Sequence, residues 1–223
     1  MSVMTISRET GSGGRYIAEK VAQTLGYRLV DKNAIGRIYG RYCGDEFGMD
    51  VGYIPDFWNR FDLPTDERRG FMVDALNRVI LALAHHDNIV IVGRSGFAVL
   101  AQFADVLNVR IQAPLPIRIK RVMERRNISS PDQAEALVRE SDRVRAAFVE
   151  EFYGKRWDTS KSFDVVIDTG KISEELATSW LAHAVKGLQA QSILGVRAVG
   201  TIQVEPGLPS IISEELNFHA VHR

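Results

Sequence analysis

A chain of 223 residues, 45% hydrophobic and 25% charged, is the size of one compact domain with a substantial core, which excludes wholesale disorder, collagen-like sequence and coiled coil. Its 28 basic and 28 acidic residues cancel, so net attraction to nucleic acid or to an anionic membrane is not the organising theme. A single cysteine, Cys43, excludes an internal disulfide framework and a cysteine-built zinc site, and no apolar stretch approaches the roughly 20 residues that span a bilayer.

From the N-terminus, Met1 to Ser7 lacks the basic region and long apolar run of a signal peptide, and a reduced, cytoplasmic protein is expected. Val3 to Ile6 reads as a strand, followed by a Gly-rich turn and a helix from Gly14 to Leu25, with Gly26 as its left-handed C-cap. Tyr27 to Val30 is a second strand and Asn33 to Tyr42 a helix. Gly40 to Phe61 lacks periodicity and reads as an irregular excursion, while Leu63-Pro64-Thr65 opens a helix whose apolar face carries Phe71, Met72, Ala75, Leu76, Val79, Ile80 and Leu83. Asn88 to Val92, Val106 to Ile111 and Val165 to Ile167 complete a set of five strands. Helices are expected from Pro114 to Asn127, from Pro131 to Phe152 (burying Leu137, Ser141, Val144, Phe148 and Phe152) and from Ser173 to Leu188. The tail, 189–223, carries a strand-like Ala198 to Val204. Its sequence leaves open an added hairpin, a homo-oligomer contact or the start of another module.

Alternating strands and helices predict an α/β fold, a five-stranded parallel sheet flanked by helices, with ligands at the carboxyl ends of the strands. The turn Ser7 to Arg15 lies at such an end. Its glycines let backbone amides curl around an anion at the N-terminus of the following helix. The P-loop consensus G-x-x-x-x-G-K-[ST] is not met: with Gly13 as the second glycine, the first is Arg8, the lysine is Gly14 and the hydroxyl residue is Arg15. A turn of this kind with no ligand is the plain alternative. Gly11, Ser12, Gly13, Gly14 and Arg15 are the candidates for holding donor phosphates.

The run Ile6-Ser7-Arg8-Glu9-Thr10-Gly11-Ser12-Gly13-Gly14-Arg15-Tyr16-Ile17-Ala18 resembles the opening of the cytidylate kinase-like family. Further matches follow in order at Tyr27 to Lys32, Val92 to Phe97, Ala113-Pro114-Leu115 with Arg118 and Arg121, Ser141 to Arg145, Phe152-Tyr153-Gly154 and Phe163 to Thr169. The resemblance spans about residues 3 to 188 and implies the fold of P-loop nucleoside monophosphate kinases. It implies transfer of the γ-phosphoryl group of ATP, with Mg²⁺, to a nucleotide such as CMP. Carried over residue by residue, it makes Asp31, Arg37, Arg94, Asp142 and Arg145 the acceptor-binding residues. The segment 36–86 would be the acceptor-binding excursion and 118–145 the lid-bearing helices. Ser95 departs from the aspartate that follows the motif arginine, and Val138 from the first arginine of the Asp142–Arg145 element.

Independently of the family, phosphoryl transfer needs fixed cations around one point, which the planar fork of arginine supplies. Arg118, Arg121 and Arg125 share one helix face, and between Ile117 and Arg145 eight basic residues stand against five acidic ones. Arg15, Arg121 and Arg125 are the candidates for stabilising the transferred group, and Asn127 to Ser130 reads as a short lid. A solvated face with i,i+4 ion pairs is the ordinary alternative for any one of them. Metal ligands are not assigned by the sequence. Adjacent His85 and His86 face different directions, Cys43 has no activating neighbour, and Tyr39, Tyr42, Phe47, Tyr53, Phe57, Trp58 and Phe61 divide between core and base stacking. A non-catalytic nucleotide-binding or regulatory module, and a kinase for a non-nucleotide acceptor, remain as rival readings. The expected partners are ATP and a small phosphorylated acceptor, with no nucleic acid and no membrane.

Overall fold

A computed structural model describes residues 2–47, 66–190 and 197–221. Strands β1 (Val3–Arg8), β2 (Arg28–Val30), β3 (Ile89–Val92), β4 (Val106–Gln112) and β5 (Val165–Asp168) form one parallel sheet in the order β2-β3-β1-β4-β5. Its central strands are almost wholly buried because both faces are covered, as parallel sheets require; β3 is entirely apolar, while β1 and β4 bury Thr5, Ser7, Asn108 and Arg110 among their apolar residues. Met4, Ile6, Val90, Val92, Val109 and Ile111 pack against Ile17 and Val21 of α1 (Gly14–Leu25) and against Leu181 and Val185 of α7 (Glu174–Ala190). Val3, Ile89 and Ile91 face the other way, toward α2 (Lys32–Phe47) and α3 (Asp66–His85). Arg8 shares the side of Met4 and Ile6, two residues apart along the strand.

The connections from β1 and β3 leave in opposite directions along the sheet, so the crevice between these neighbours is its switch point. Past β3 the chain turns through Gly93, Arg94 and Ser95, at φ 76°, 54° and 56°, into the short α4 (Gly96–Val99). Past β4 come α5 (Leu115–Arg126) and α6 (Pro131–Tyr153). Asn127 ends α5 in the left-handed conformation, and the Ser130 hydroxyl caps α6 by accepting from the Gln133 amide. The expected lid Asn127 to Ser130 is therefore a capped turn in a helical hairpin with its own apolar contacts, Val122 against Ala134 and Val138.

Several expectations are corrected. The fully buried positions of α6 are Ala134, Val138 and Val149, and Ser141 is only half-buried. The helix is turned by about one residue because Ser141, Asp142 and Arg145 are drawn to the turn after β1. Phe71 is 40% exposed, whereas the rest of the predicted face of α3 is buried. Residues 40–47 continue α2, and 48–65, including the helix opening at Leu63-Pro64-Thr65 and the aromatics Tyr53, Phe57, Trp58 and Phe61, lie outside the described residues. The strand-like Ala198 to Val204 is instead a single 3₁₀ turn, Val199–Thr201, followed by α8 (Leu208–Val221). Val199, Leu208, Ile211, Ile212 and Leu216 join the α2–α3 core. Hydrogen bonds that fasten this tail include those from Arg37 to Glu215 (2.6 Å), Arg41 to Glu214 (2.7 Å) and Arg28 to the Leu216 carbonyl (2.7 Å). Tyr39 and Tyr42 lie in that same core. Cys43 is buried there too, its thiol pushed up by desolvation. Among the described residues no helix is long and apolar enough to cross a membrane.

Candidate phosphate-binding site

The turn after β1 is shaped by two glycines with positive φ, Gly11 at 84° and Gly13 at 79°. Gly13 caps α1 without any side-chain acceptor, which leaves the first amides of the helix to a ligand or to water. Neighbours press on the turn from outside. A Cβ at Gly13 would lie 2.0 Å from the Glu174 Oε1, and one at Gly11 would lie 2.6 Å from the Arg118 carbonyl.

Glu9 and Thr10 bind this turn to the helical hairpin. Glu9 accepts from Arg110 (3.0 Å) and from the Ala113 amide (3.1 Å), and pairs with the Arg118 Nε at 3.3 Å. The Arg110 side chain is 3% exposed. It lies 4.4 Å from the Trp157 ring and donates to the Trp157 carbonyl at 2.6 Å. Asp142 accepts from the Thr10 amide (3.0 Å), Arg118 (2.5 Å) and Arg145 (3.0 Å). Arg145 also donates to the Thr10 hydroxyl at 2.8 Å. Arg118 thus serves as a brace between loop and hairpin.

On the β3 side of the loop, guanidinium groups crowd together. Burial first, then the charges of Arg145, Arg94 and Arg15, holds the Arg8 guanidinium down to about 9, against a small opposing pull from Asp31. Arg94 is held to about 10 by burial and Arg145, and Asp31 again opposes. Burial lowers Arg145 as well, and Asp142 offsets part of it. Their mutual repulsion would be relieved by an anion bound among them. Arg94 reaches this place from a left-handed residue, a conformation that costs a non-glycine roughly 1–2 kcal/mol.

The other predicted residues divide. Arg15 is 59% exposed and held by Glu19 (2.9 Å) and Asp31 (3.2 Å), which sets its charge on the β2 side. Asp31 also caps α2, accepting from the amides of Asn33 and Ala34. Arg121 donates to the hydroxyl (2.9 Å) and carbonyl (3.0 Å) of Thr169 and comes within 3.5 Å of the Gly11 carbonyl. Arg125 pairs with Glu174 at 3.5 Å, beside Gly13. These two therefore border the turn, while Arg37, paired with Glu215, belongs to the tail contact. Sequence reasoning missed Arg8 and Glu9. Their signal was present, two charged residues where a strand gives way to a glycine turn.

The sequence model of the Cytidylate kinase-like family matches residues 3–171. The chain belongs to this family. A cytidylate kinase of Ignicoccus hospitalis is 30% identical over 175 residues, 78% of this chain and 94% of that protein. Among solved structures, an uncharacterized protein from Eubacterium ventriosum superposes with a TM-score of 0.65 at 20% identity, covering 86% of this chain and all of that one. A gluconokinase from Sinorhizobium meliloti gives 0.50 at 16% identity, covering 86% and 98%. These two likenesses bear on the fold alone, the five-stranded parallel sheet flanked by helices. The family match spans the turn, both crowded arginine elements and the hairpin, and stops short of α7 and the tail.

Proposed function

We propose that this member of the cytidylate kinase-like family transfers the γ-phosphoryl group of ATP to a nucleoside monophosphate, with CMP the preferred acceptor. The observation that carries the reading is the convergence of Arg8, Arg94 and Arg145 beside the glycine turn at the switch point of the sheet. An oxygen of the acceptor phosphate attacks the γ-phosphorus, the bond to the β-bridging oxygen breaks, and ADP departs with the electron pair. That oxygen is already nucleophilic, so no general base is needed. The protein's share is alignment and stabilisation of charge.

Gly11 to Arg15 hold the donor phosphates, with Arg121 and Arg125 alongside. Arg94 and Arg145, the latter oriented by Asp142, hold the acceptor phosphate, and Asp31 steers Arg15. Arg37 joins them only on release from Glu215. ATP would bring Mg²⁺ with it, and the ion would supply neutralisation of charge on the donor phosphates.

With purified protein, ATP, Mg²⁺ and a panel of nucleoside monophosphates, ADP formation dependent on CMP is expected. Absence of turnover with every acceptor, alongside a nucleotide-induced rise in melting temperature, would instead favour the non-catalytic module. Arg94→Gly is expected to raise the KM for the monophosphate at least about tenfold. Because glycine accepts the left-handed backbone, its denaturation midpoint should match or exceed wild type, by up to about 1 kcal/mol.

A further inference from the structure

We infer that Arg8 replaces the lysine missing from the P-loop, its side chain entering from the opposite end of the loop to grip the β- and γ-phosphates of the donor. The inference rests on the phosphoryl-transfer reading and assigns a residue within it. Against the consensus, two substitutions stand out together: the first glycine has become Arg8 and the lysine has become Gly14. The geometry makes them a single exchange. A Cβ built on Gly14 would lie 2.6 Å from the Arg8 Cβ and 3.2 Å from its Cγ, so the stem of Arg8 fills the space into which a side chain at 14 would leave the backbone. Glycine at the first position and lysine at the second is one way to fill that volume with a cationic side chain; arginine and then glycine is the other.

The far end of the side chain is provided for as well. Gly93 has a φ of 76°, and a Cβ there would lie 2.1 Å from the Arg8 Nη1. The guanidinium therefore runs past the end of β3 along a path that two glycines keep clear. It ends against Gly93, the residue before Arg94, close enough to Arg94 and Arg145 for their charges to repel it. Among the described residues no carboxylate comes within ion-pairing distance of Arg8, whereas Arg15, Arg118, Arg125 and Arg145 each have one. Arg121 is engaged by Thr169. Arg8 is thus the cation of the loop left to a ligand, and its planar fork donates two parallel hydrogen bonds to phosphate oxygens where a lysine is a point charge.

The test compares wild type with Arg8→Met, Arg8→Lys, Arg8→Gly, Gly14→Lys and the exchanged pair R8G/G14K, each checked for folding by circular dichroism. Titration calorimetry with the Mg²⁺ complex of a non-hydrolysable ATP analogue, and separately with AMP, reads the ratio of the two affinities. Wild type should prefer the triphosphate by at least about 30-fold, Arg8→Met should bring the preference within about threefold, and Arg8→Lys should fall between. In turnover, Arg8→Met should lose about 10²–10³ in kcat. R8G/G14K should regain at least about tenfold over Arg8→Gly, while Gly14→Lys alone is impaired by collision with the arginine stem. A merely structural Arg8 would leave the affinity ratio of Arg8→Met at the wild-type value, and that result overturns the inference, as does an R8G/G14K no better than Arg8→Gly in both assays. If wild type phosphorylates nothing, the kinase reading falls by itself, and the affinity ratios still decide for or against Arg8.

Discussion

Replacing Glu9 with alanine is expected to destabilise the protein by about 3–5 kcal/mol, seen in urea as a lower midpoint at unchanged slope. Arg110 is the reason. Its side chain is 3% exposed, deep under the loop, and Glu9 is the carboxylate that pairs with it. Removing one member of such a pair leaves the other charged and dry, which costs far more than the pair contributes when intact. Stacking against Trp157 and donation to its carbonyl cannot neutralise the guanidinium. The double variant E9Q/R110M removes both charges and should recover most of the loss, because an apolar side chain of similar length suits that environment. Arg118 would keep its bond to Asp142, so the hairpin should stay attached to Thr10 in every variant. Recovery in the double variant is the decisive measurement; equal damage in single and double variants would assign the effect to shape, not charge.

The second large effect is on the dependence of stability on pH and on anions. The Arg8 guanidinium is held down to about 9 in the folded chain, well below the ordinary arginine range. A base with a lowered folded value takes up fewer protons folded than unfolded between those two limits, so stability rises with pH across that window. Below pH 9 the folded protein carries the whole penalty, a few kcal/mol at one pKa unit per 1.4 kcal/mol. Arg8→Met is therefore expected to melt higher than wild type at pH 7.5, with the difference shrinking above pH 9. An oxyanion relieves the same crowding. Sulfate at tens of millimolar should raise the wild-type melting temperature by roughly 4–8 °C, equivalent to about 2 kcal/mol, and should raise that of Arg8→Met by much less. Equal sulfate shifts in the two proteins would disconnect the crowding from anion binding.

The sheet and most of its helices could be read from the residues, since β3 is an unbroken apolar run and β1 and β4 carry enough apolar, β-branched residues to read as strands despite Thr5, Ser7, Asn108 and Arg110. The ends of the hairpin helices were legible through Pro131, Ser130 and the Asn127 turn. The rotation of α6 was not, because it depends on Asp142 reaching Thr10, a partner 132 positions away. The tail misled for a similar reason. Ile202, Val204 and their neighbours have strand propensity, but no sheet edge is offered to them, and residues on α2 and α3 supply the burial that decides their conformation. Of the site, the glycine turn and Arg94 stood out in sequence by position, and Arg145 through the family resemblance. Arg8 was hidden because comparison with the P-loop consensus registers a lost glycine and a lost lysine as two defects, and only the Cβ geometry at Gly14 joins them.

The docking of α8 on α2 has a consequence for the protein's birth. Helix α2 begins at Lys32, yet residues that cover it, Leu208 to Leu216, are synthesised more than 170 positions later. On a translating ribosome the sides of α2 and α3 that these residues cover must wait, uncovered, until the chain has passed residue 216. Premature termination anywhere before residue 208 would release a nascent chain with that surface bare, a substrate for chaperones and proteases.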